Sequence, residues 1–483
     1  MKEFLEWLEG AVNTVNSYLA DYILVILLIG VGLFFTIRTR FVQVRYFGEG
    51  LRRVFGNIKL RGGKQGGGMS SFQAFATAVA AQVGTGNIIG ACGAIIAGGP
   101  GAIFWMWIIA FLGMATIYSE AVLAQKTRKV DENGKVEGGP VYYIKQAFKG
   151  KFGKFLAVFF AVAAIICLGF VGAMVQSNAI SSAIADVCGY DYTQLGWIVG
   201  ILISVLVGVI IIGGAKRIAS VTEKIVPLMA LVYILGGIVI LAINITALPT
   251  AFAYIFKYAF EPQAIIGGGV GYALKMAISM GAKRGLFSNE AGMGSTPHAH
   301  AQANVKTPHE QGTVAMVGVF LDTFIVLTIT ALIVITSLYV KNPNMWQSAG
   351  VTSNNMVNVA IAQMFTNPDV GALVGSIFVA VCLTFFAFST IISWNLFGRI
   401  NFEYIFGKKS TIVYSIISII FVFMGASLSN SLVWGLNDFF NYLMVIPNAL
   451  ALIVLSGLVI GEMKENGDEV KRLRKLARRN NMQ

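Results

Sequence analysis

The sequence predicts an all-α polytopic membrane protein: eleven transmembrane helices, with one peripheral N-terminal helix followed by two inverted halves of five. Three observations predict it. Of 483 residues, 56% are hydrophobic and only 12% charged, with a mean hydropathy of +0.73, whereas soluble domains carry about 25% charged residues. Eleven apolar runs are long enough for a bilayer core, which takes roughly 20 residues at 1.5 Å each. Two of those runs are broken at mid-membrane, and five runs separate the start of one from the start of the other.

Taken in order, the runs are 18–37, 70–97, 102–125, 153–186, 194–213, 220–246, 263–302, 311–340, 369–397, 411–428 and 432–461. Residues 1–17 place Phe4, Leu8, Val12 and Val15 at helical spacing, which suits an interfacial helix or a short overhang. Glu3, Glu6 and Glu9 stand where a cleavable leader would be basic, so no leader is expected. The second run, Ser70–Ala97, contains Gln82-Val83-Gly84-Thr85-Gly86-Asn87 at its centre. Two glycines one residue apart are poor helix formers. In hydrocarbon each freed backbone group costs several kcal/mol unless it is satisfied, so this break is expected to line a polar cavity. The seventh run is over-long and breaks near 285–292.

The charge map orients these runs. Eight Lys or Arg fall in 38–69, eight in 126–154, three in 214–224, one in 303–310, three in 398–410 and seven after 461, so 30 of the 36 share one side. By the positive-inside rule that side is cytoplasmic, with the N-terminus outside and the C-terminus inside. The net charge of +13 is thereby accounted for, and nucleic-acid binding is not expected. Cys92, Cys167, Cys188 and Cys382 show no metal-binding or redox spacing and read as packing residues.

Because five is odd, the two broken spans run in opposite directions. Paired interrupted helices in inverted halves point to a binding site at the midplane of a transporter. The expected organisation is 1–69 (peripheral helix and basic loop), 70–246 (first repeat), 247–461 (second repeat) and 462–483 (basic tail).

The residues at the breaks suggest the chemistry. Amides at Thr85, Gly86 and Asn87 open a half-helix and favour a carboxylate. Carbonyls around Ala80 to Val83 close the other half and suit Na⁺ or an ammonium group. One break thus offers both poles that a zwitterion needs. In span seven Phe287 can wall a pocket, while Ser288 and Asn289 can hydrogen-bond a ligand or ion. In span nine the Ser389 and Thr390 hydroxyls are two hard oxygen donors, although such hydroxyls often bond their own backbone. Trp394 lies one turn beyond Thr390 on the same face, suited to closing a small pocket. Gln176 in span four needs partners, either a substrate group or a neighbouring backbone. Lys283 and Arg284 are expected to pair with Glu290, Glu120 or Asp322. His298 and His300 are two apart, on different helix faces, so no metal site is expected. Nucleotide-binding and hydrolase motifs do not occur, so an ATP-driven pump or an enzyme is not expected.

The stretches GTGNIIG (84–90), GGPGAIFWMW (98–107), GGPVYY (138–143) and above all KRGLFSNEAGMGS (283–295) resemble the alanine or glycine:cation symporter family, over about residues 20–460. The resemblance implies the five-plus-five inverted-repeat, leucine-transporter-like fold of the amino acid–polyamine–organocation group. It implies Na⁺-coupled uptake of small neutral amino acids, chiefly alanine and glycine, across the inner membrane of a prokaryote. On that likeness the substrate carboxylate would meet the amides near Thr85 and Gly86, and its amine would face Phe287 to Asn289. Na⁺ would take the carbonyls of Ala80 and Val83 with the Ser389 and Thr390 hydroxyls, and Asn87 matches a second-ion position of some relatives. The Lys283–Arg284 pair departs from distant members of the fold. The alternatives are a proton-coupled carrier using Asp322 or Glu290, and a cation channel.

Overall fold

The computed structural model describes residues 2–56, 68–132, 135–261, 270–343, 345–428 and 430–467. Lys59, Arg61 and Lys64 of the first basic loop and the basic residues after 467 lie outside the described residues, as does 262–269 of the seventh expected span.

The chain is helical nearly throughout. α1 (Leu5–Arg38) is one long helix, so the N-terminal segment continues span one rather than standing apart from it. Its extension has a reason: Val12 is buried, and the Asn16 amide donates to the Gly435 carbonyl at 2.7 Å, holding it against a C-terminal helix. The short amphipathic α2 (Phe47–Phe55) follows. α3 (Ser71–Gln82) and α4 (Gly86–Gly98) form a pair bent by 47°. Then come α5 (Gly101–Thr127), α6 (Pro140–Ala147), α7 (Gly150–Cys188), α8 (Tyr192–Ile212), α9 (Gly214–Ile243) and α10 (Leu248–Phe260). The second half holds α11 (Val270–Asn289), α12 (Pro297–Gln302), α13 (Pro308–Lys341), α14 (Met356–Ala362), α15 (Pro368–Phe406), α16 (Thr411–Gly425) and α17 (Asn430–Val454).

Among the described residues nine helices are long and apolar enough to cross a membrane, or ten with the bent pair α3–α4 counted as one. The seventh expected span, 263–302, is built instead, among its described residues, as α11, a break and the six-residue α12. Its apolar run is cut by glycines and buried polar residues (Ser288, Asn289, Glu290, Ser295 and Thr296) that serve the interior.

α5 is the hub, packing against α1, α10, α11, α12 and α13. Small residues at Ala102, Ala110, Gly113, Ala115, Ala121 and Ala124 let those backbones approach closely, which is how helices associate where lipid gives no hydrophobic drive. α8, α9 and α16 lie on the outside and turn Leu202, Val205, Leu206, Leu231, Val239, Ile412 and Ile416 outward, an apolar surface suited to acyl chains. Cys92, Cys167 and Cys382 are buried and unoxidised, and Cys188 is exposed at the end of α7.

The basic segments converge at one end. There β1 (Met69–Ser70) pairs in parallel with β4 (Ala303–Asn304), and β2 (Lys129–Val130) pairs antiparallel with β3 (Val136–Glu137). Arg53 meets Glu310 at 3.0 Å, Lys126 meets Glu462 at 2.7 Å, Lys135 meets Glu403 at 2.9 Å and Lys408 meets Asp131 at 3.1 Å. The segments that the charge map assigns to one side are thus in contact with one another.

Candidate functional site

The site starts from the end of α3. A capping box between Ser70 and Gln73 fixes the helix start, and the backbone leaves the helix at Val83 (φ −80°, ψ 91°). The last four carbonyls of a helix have no intrahelical partner. Here the Ala80 carbonyl receives the Thr390 hydroxyl at 2.9 Å and the Ser389 hydroxyl at 3.4 Å from α15. Both hydroxyls also reach the Phe386 carbonyl of their own helix, at 3.0 and 2.9 Å. Each carries one proton for two acceptors, so hard oxygens outnumber protons at this spot.

Beyond the break, Gly84 N–H donates to Asn87 Oδ1 at 2.9 Å, and Thr85 N–H donates to Gln176 Oε1 at 3.3 Å. Gln176 on α7 therefore takes the neighbouring-backbone partner of the two that its sequence context allows. Both glycines are dictated by close approach. A Cβ on Gly84 would lie 2.6 Å from Thr390 Oγ1, and one on Gly86 would lie 3.0 Å from Phe287 Cδ1 and from Ser288 Cα. The two broken spans are thus in contact at their breaks.

α11 ends at Asn289, and Glu290 takes a left-handed φ of 58°. The loop that follows is tied down from α5: Glu120 accepts the amides of Gly292 and Gly294, each at 3.1 Å, and the Asn448 amide at 2.6 Å. Asn289 donates to Thr323 Oγ1 at 3.3 Å, and its carbonyl accepts from Gln82 at 2.8 Å, joining α11 to the end of α3. Glu290 accepts from Ser295 and from the indole of Trp394. Phe287 stands edge-on to Trp394 at 5.9 Å and packs against Trp434 at 5.1 Å.

At the centre is Asp322, in a π-helical turn of α13 (Phe320–Leu327), a distortion frequent at functional sites. Its carboxylate accepts from Asn87 at 2.6 Å, from Ser288 at 2.9 and 3.0 Å, and from Thr323 at 2.8 Å. Among the described residues no cation pairs with it, although it is fully buried. Sequence reasoning treats Asp322 as an ion-pair partner or proton carrier and misses its position between both breaks. The signal that points to it is an acidic residue inside an apolar run. Sequence reasoning also misses Gln82 and Thr323.

The expected ion pairs do not form. Lys283 meets Asp21 of α1 at 3.1 Å, and Arg284 lies 3.5 Å from Asp438 of α17. Neither pairs with Glu290, Glu120 or Asp322, whose carboxylates are held by amides, hydroxyls and an indole. The reason is directional: Lys283 and Arg284 lie six and five residues before the broken end of α11 at Asn289, and there they face α1 and α17. His298 lies 2.6 Å from the Ser295 carbonyl and 2.8 Å from Asn401, while His300 faces Gln311 at 2.9 Å, each in its own polar contact.

Two cavities flank these residues. One of about 470 Å³ lies at the basic end, lined by Met69, Lys135, Tyr142, Lys216, Arg399 and Tyr404 among others. The other, about 290 Å³, lies beyond the break and is lined by Gly93, Arg284, Ser353 and Trp434 among others. Met69 precedes α3 and Gly93 lies in α4, so the cavities open at opposite ends of the broken span.

In sequence comparisons the sodium:alanine symporter family matches residues 5–479. The sodium/alanine symporter AgcS of Methanococcus maripaludis is 41% identical over 454 residues, covering 94% of this chain and 96% of that protein. The putative sodium/proton-dependent alanine carrier protein YrbD of Bacillus subtilis is 37% identical over 462 residues, covering 94% and 91%. The probable sodium/glutamine symporter GlnT of Bacillus subtilis is 38% identical over 459 residues, covering 95% and 90%.

Proposed function

The chain belongs to the sodium:alanine symporter family, and from that premise we propose that it couples Na⁺ entry to uptake of a small neutral amino acid, alanine or glycine, by alternating access. The family is one of transporters, so amino-acid symport is the general activity; the substrate, the ion and the residue roles that follow are our reading.

The observation that carries it is the meeting of two broken helices around buried polar groups with few charges to spend on them. The substrate carboxylate is assigned to the amides of Thr85 and Gly86 at the start of α4, with Gln176 sharing the Thr85 amide. Its ammonium group is assigned to the break at Phe287, Ser288 and Asn289, where carbonyls and hydroxyls are within reach. Phe287 and Trp394 would bound the pocket and favour a short side chain. Na⁺ is assigned to the Ala80 and Val83 carbonyls with the Ser389 and Thr390 hydroxyls, hard oxygens of the kind small cations require. Asn87, which bridges Gly84 and Asp322, is kept as a candidate ligand of a second ion.

The wider reading follows from the same premise. Residues 70–246 and 247–461 act as inverted repeats, one rocking against the other, with the basic end in the cytoplasm of a prokaryote and lipid around α8, α9 and α16. A second reading, proton coupling, is favoured by one observation: Asp322 is buried without a cationic partner among the described residues and could carry a proton. The name of YrbD speaks of both ions for that protein. The test is radiolabelled alanine uptake into proteoliposomes under Na⁺, Li⁺ or H⁺ gradients imposed separately. Uptake driven by Na⁺ alone supports the first reading; uptake driven by a pH gradient without Na⁺ supports the second. Ion flux without saturable alanine uptake would leave a channel.

A further inference from the structure

The cavity of about 470 Å³ at the basic end has no part in the site above. Gly213 and Lys216 come to its wall from the turn between α8 and α9, and Arg399, Glu403 and Tyr404 from the last turns of α15. A turn between two adjacent spans marks the edge of the hydrocarbon core, which is the level of lipid headgroups. The wall carries four cations, Lys135, Lys216, Arg399 and Lys408, against two carboxylates, Glu137 and Glu403. Lys135 and Arg399 share Glu403, each at 2.9 Å, and Lys408 lies 3.2 Å from Glu137. Asp131 meets Lys408 from outside the wall at 3.1 Å, and even with it the cations outnumber the carboxylates. Lys216 is exposed and meets no carboxylate among the described residues.

The outer border of the cavity is apolar. Arg399 Nη1 donates to the Ile211 carbonyl at 3.4 Å, and Thr411 Oγ1 donates to Glu403 at 2.9 Å, so the end of α8 and the start of α16 adjoin it. These two helices pack together, and Val209, Ile212, Ile412 and Ile416 are exposed along them. Unbalanced positive charge in a cavity, with exposed apolar surface running away from it, matches an amphiphile with an anionic head.

We propose that this cavity receives the headgroup phosphate of an anionic phospholipid, held by Lys216 and Arg399, with the acyl chains lying along α8 and α16. Basic pockets between membrane helices bind anionic headgroups in this way. The Arg399 guanidinium is a planar fork that fits two phosphate oxygens, and Lys216 adds a point charge. Lys216 opens α9 in the first half of the chain and Arg399 lies near the end of α15 in the second, so one headgroup touches both halves. A phosphate on Arg399 competes with Glu403 for the same donors.

The experiment is titration of the detergent-purified full-length protein with dioctanoyl-phosphatidylglycerol, read as the rise in melting temperature. Dioctanoyl-phosphatidylcholine, which has the same chains and no net charge, and inorganic phosphate are titrated beside it. A saturable rise with phosphatidylglycerol alone is expected. Lys216→Gln removes an exposed side chain with no carboxylate partner, so the variant should fold normally and need about fivefold more lipid for half-saturation. Arg399→Gln should need about tenfold more. Lys151→Gln, which removes an exposed charge at the start of α7 outside the cavity wall, should change nothing. Equal losses in Lys216→Gln and Lys151→Gln would mean diffuse attraction to a basic surface and overturn the site. Phosphatidylcholine acting as strongly as phosphatidylglycerol also overturns it. Inorganic phosphate acting as strongly at the same concentrations would make this a site for soluble phosphate and overturn the lipid. None of these readouts involves transport, so the outcome is independent of the substrate and the coupling ion.

Discussion

The Thr390 hydroxyl lies 2.9 Å from the Ala80 carbonyl oxygen, fastening α15 to the unsatisfied end of α3. This links the ninth expected span to the broken second one at the place where the backbone has oxygens to spare. Thr390→Ala removes one donor oxygen and is expected to raise the Na⁺ concentration for half-maximal alanine uptake about tenfold, equivalent to about 1.4 kcal/mol. Sodium titration of uptake in proteoliposomes checks it, and an unchanged dependence removes Thr390 from the ion site.

Gly84→Ala places a methyl group 2.6 Å from Thr390 Oγ1. Overpacking of this kind costs about 1–3 kcal/mol, so both thermal stability and uptake should fall. In the double variant with Thr390→Ala that oxygen is gone, and the nearest atoms lie at 3.5 Å. Stability in detergent should return while the Na⁺ defect of Thr390→Ala persists. Additive losses would mean that the collision is not what makes Gly84 necessary.

Trp394→Ala opens the pocket beside Phe287 and deprives Glu290 of its indole donor. Large-to-small changes in a core cost about 3–5 kcal/mol, so a lower melting point is expected. Competition by leucine against alanine uptake should strengthen by about tenfold. If leucine remains excluded, Trp394 is not the size filter.

Asp322→Ala leaves Asn87 and Ser288 donors buried without their acceptor, at about 1–3 kcal/mol for each lost partner. Uptake should fall at least tenfold with a drop in melting point. Asp322→Asn keeps an acceptor oxygen and should preserve stability better than uptake. Equal melting points for the two variants would argue against this carboxylate as the clasp between the breaks.

At the basic end, outside the spans, the Glu49 carboxyl is held down at about 2 by His309, whose Nε2 lies 3.8 Å away, and by Arg53 at 2.7 Å, against the opposing effect of burial. A folded-state value below the ordinary 4.5 means that Glu49 adds stability above about pH 4.5, and that this is lost as pH falls toward 2. Partly exposed pairs contribute about 0.5–1 kcal/mol. Glu49→Gln should therefore lower the melting point by about 1–2 °C at neutral pH, and the difference should shrink below about pH 4. A difference that does not change with pH would assign the loss to packing instead.

Much of this protein is written locally. A glycine pair inside an apolar run cannot continue a helix in hydrocarbon, so the break at 83–85 is a property of the sequence. The distribution of Lys and Arg marks the segments that share a side, and the fold brings several of them into contact. The motifs at 84–90, 98–107, 138–143 and above all 283–295 carry the family likeness. Other facts needed the folded chain. Lys283 and Arg284 find Asp21 and Asp438, which lie far away in sequence on α1 and α17; charges within one run do not reveal which distant helix they will face. Gln176 can turn to a ligand or to a backbone, and only the approach of α7 to Thr85 decides it. Asp322 reads as an isolated acid in an apolar run, because the groups that surround it come from α4, α11 and α13. Local sequence determines what each residue can do over a turn or two of helix; which residues then meet is decided by tertiary packing, where a buried polar group takes whichever partner the assembled helices bring within about 3 Å.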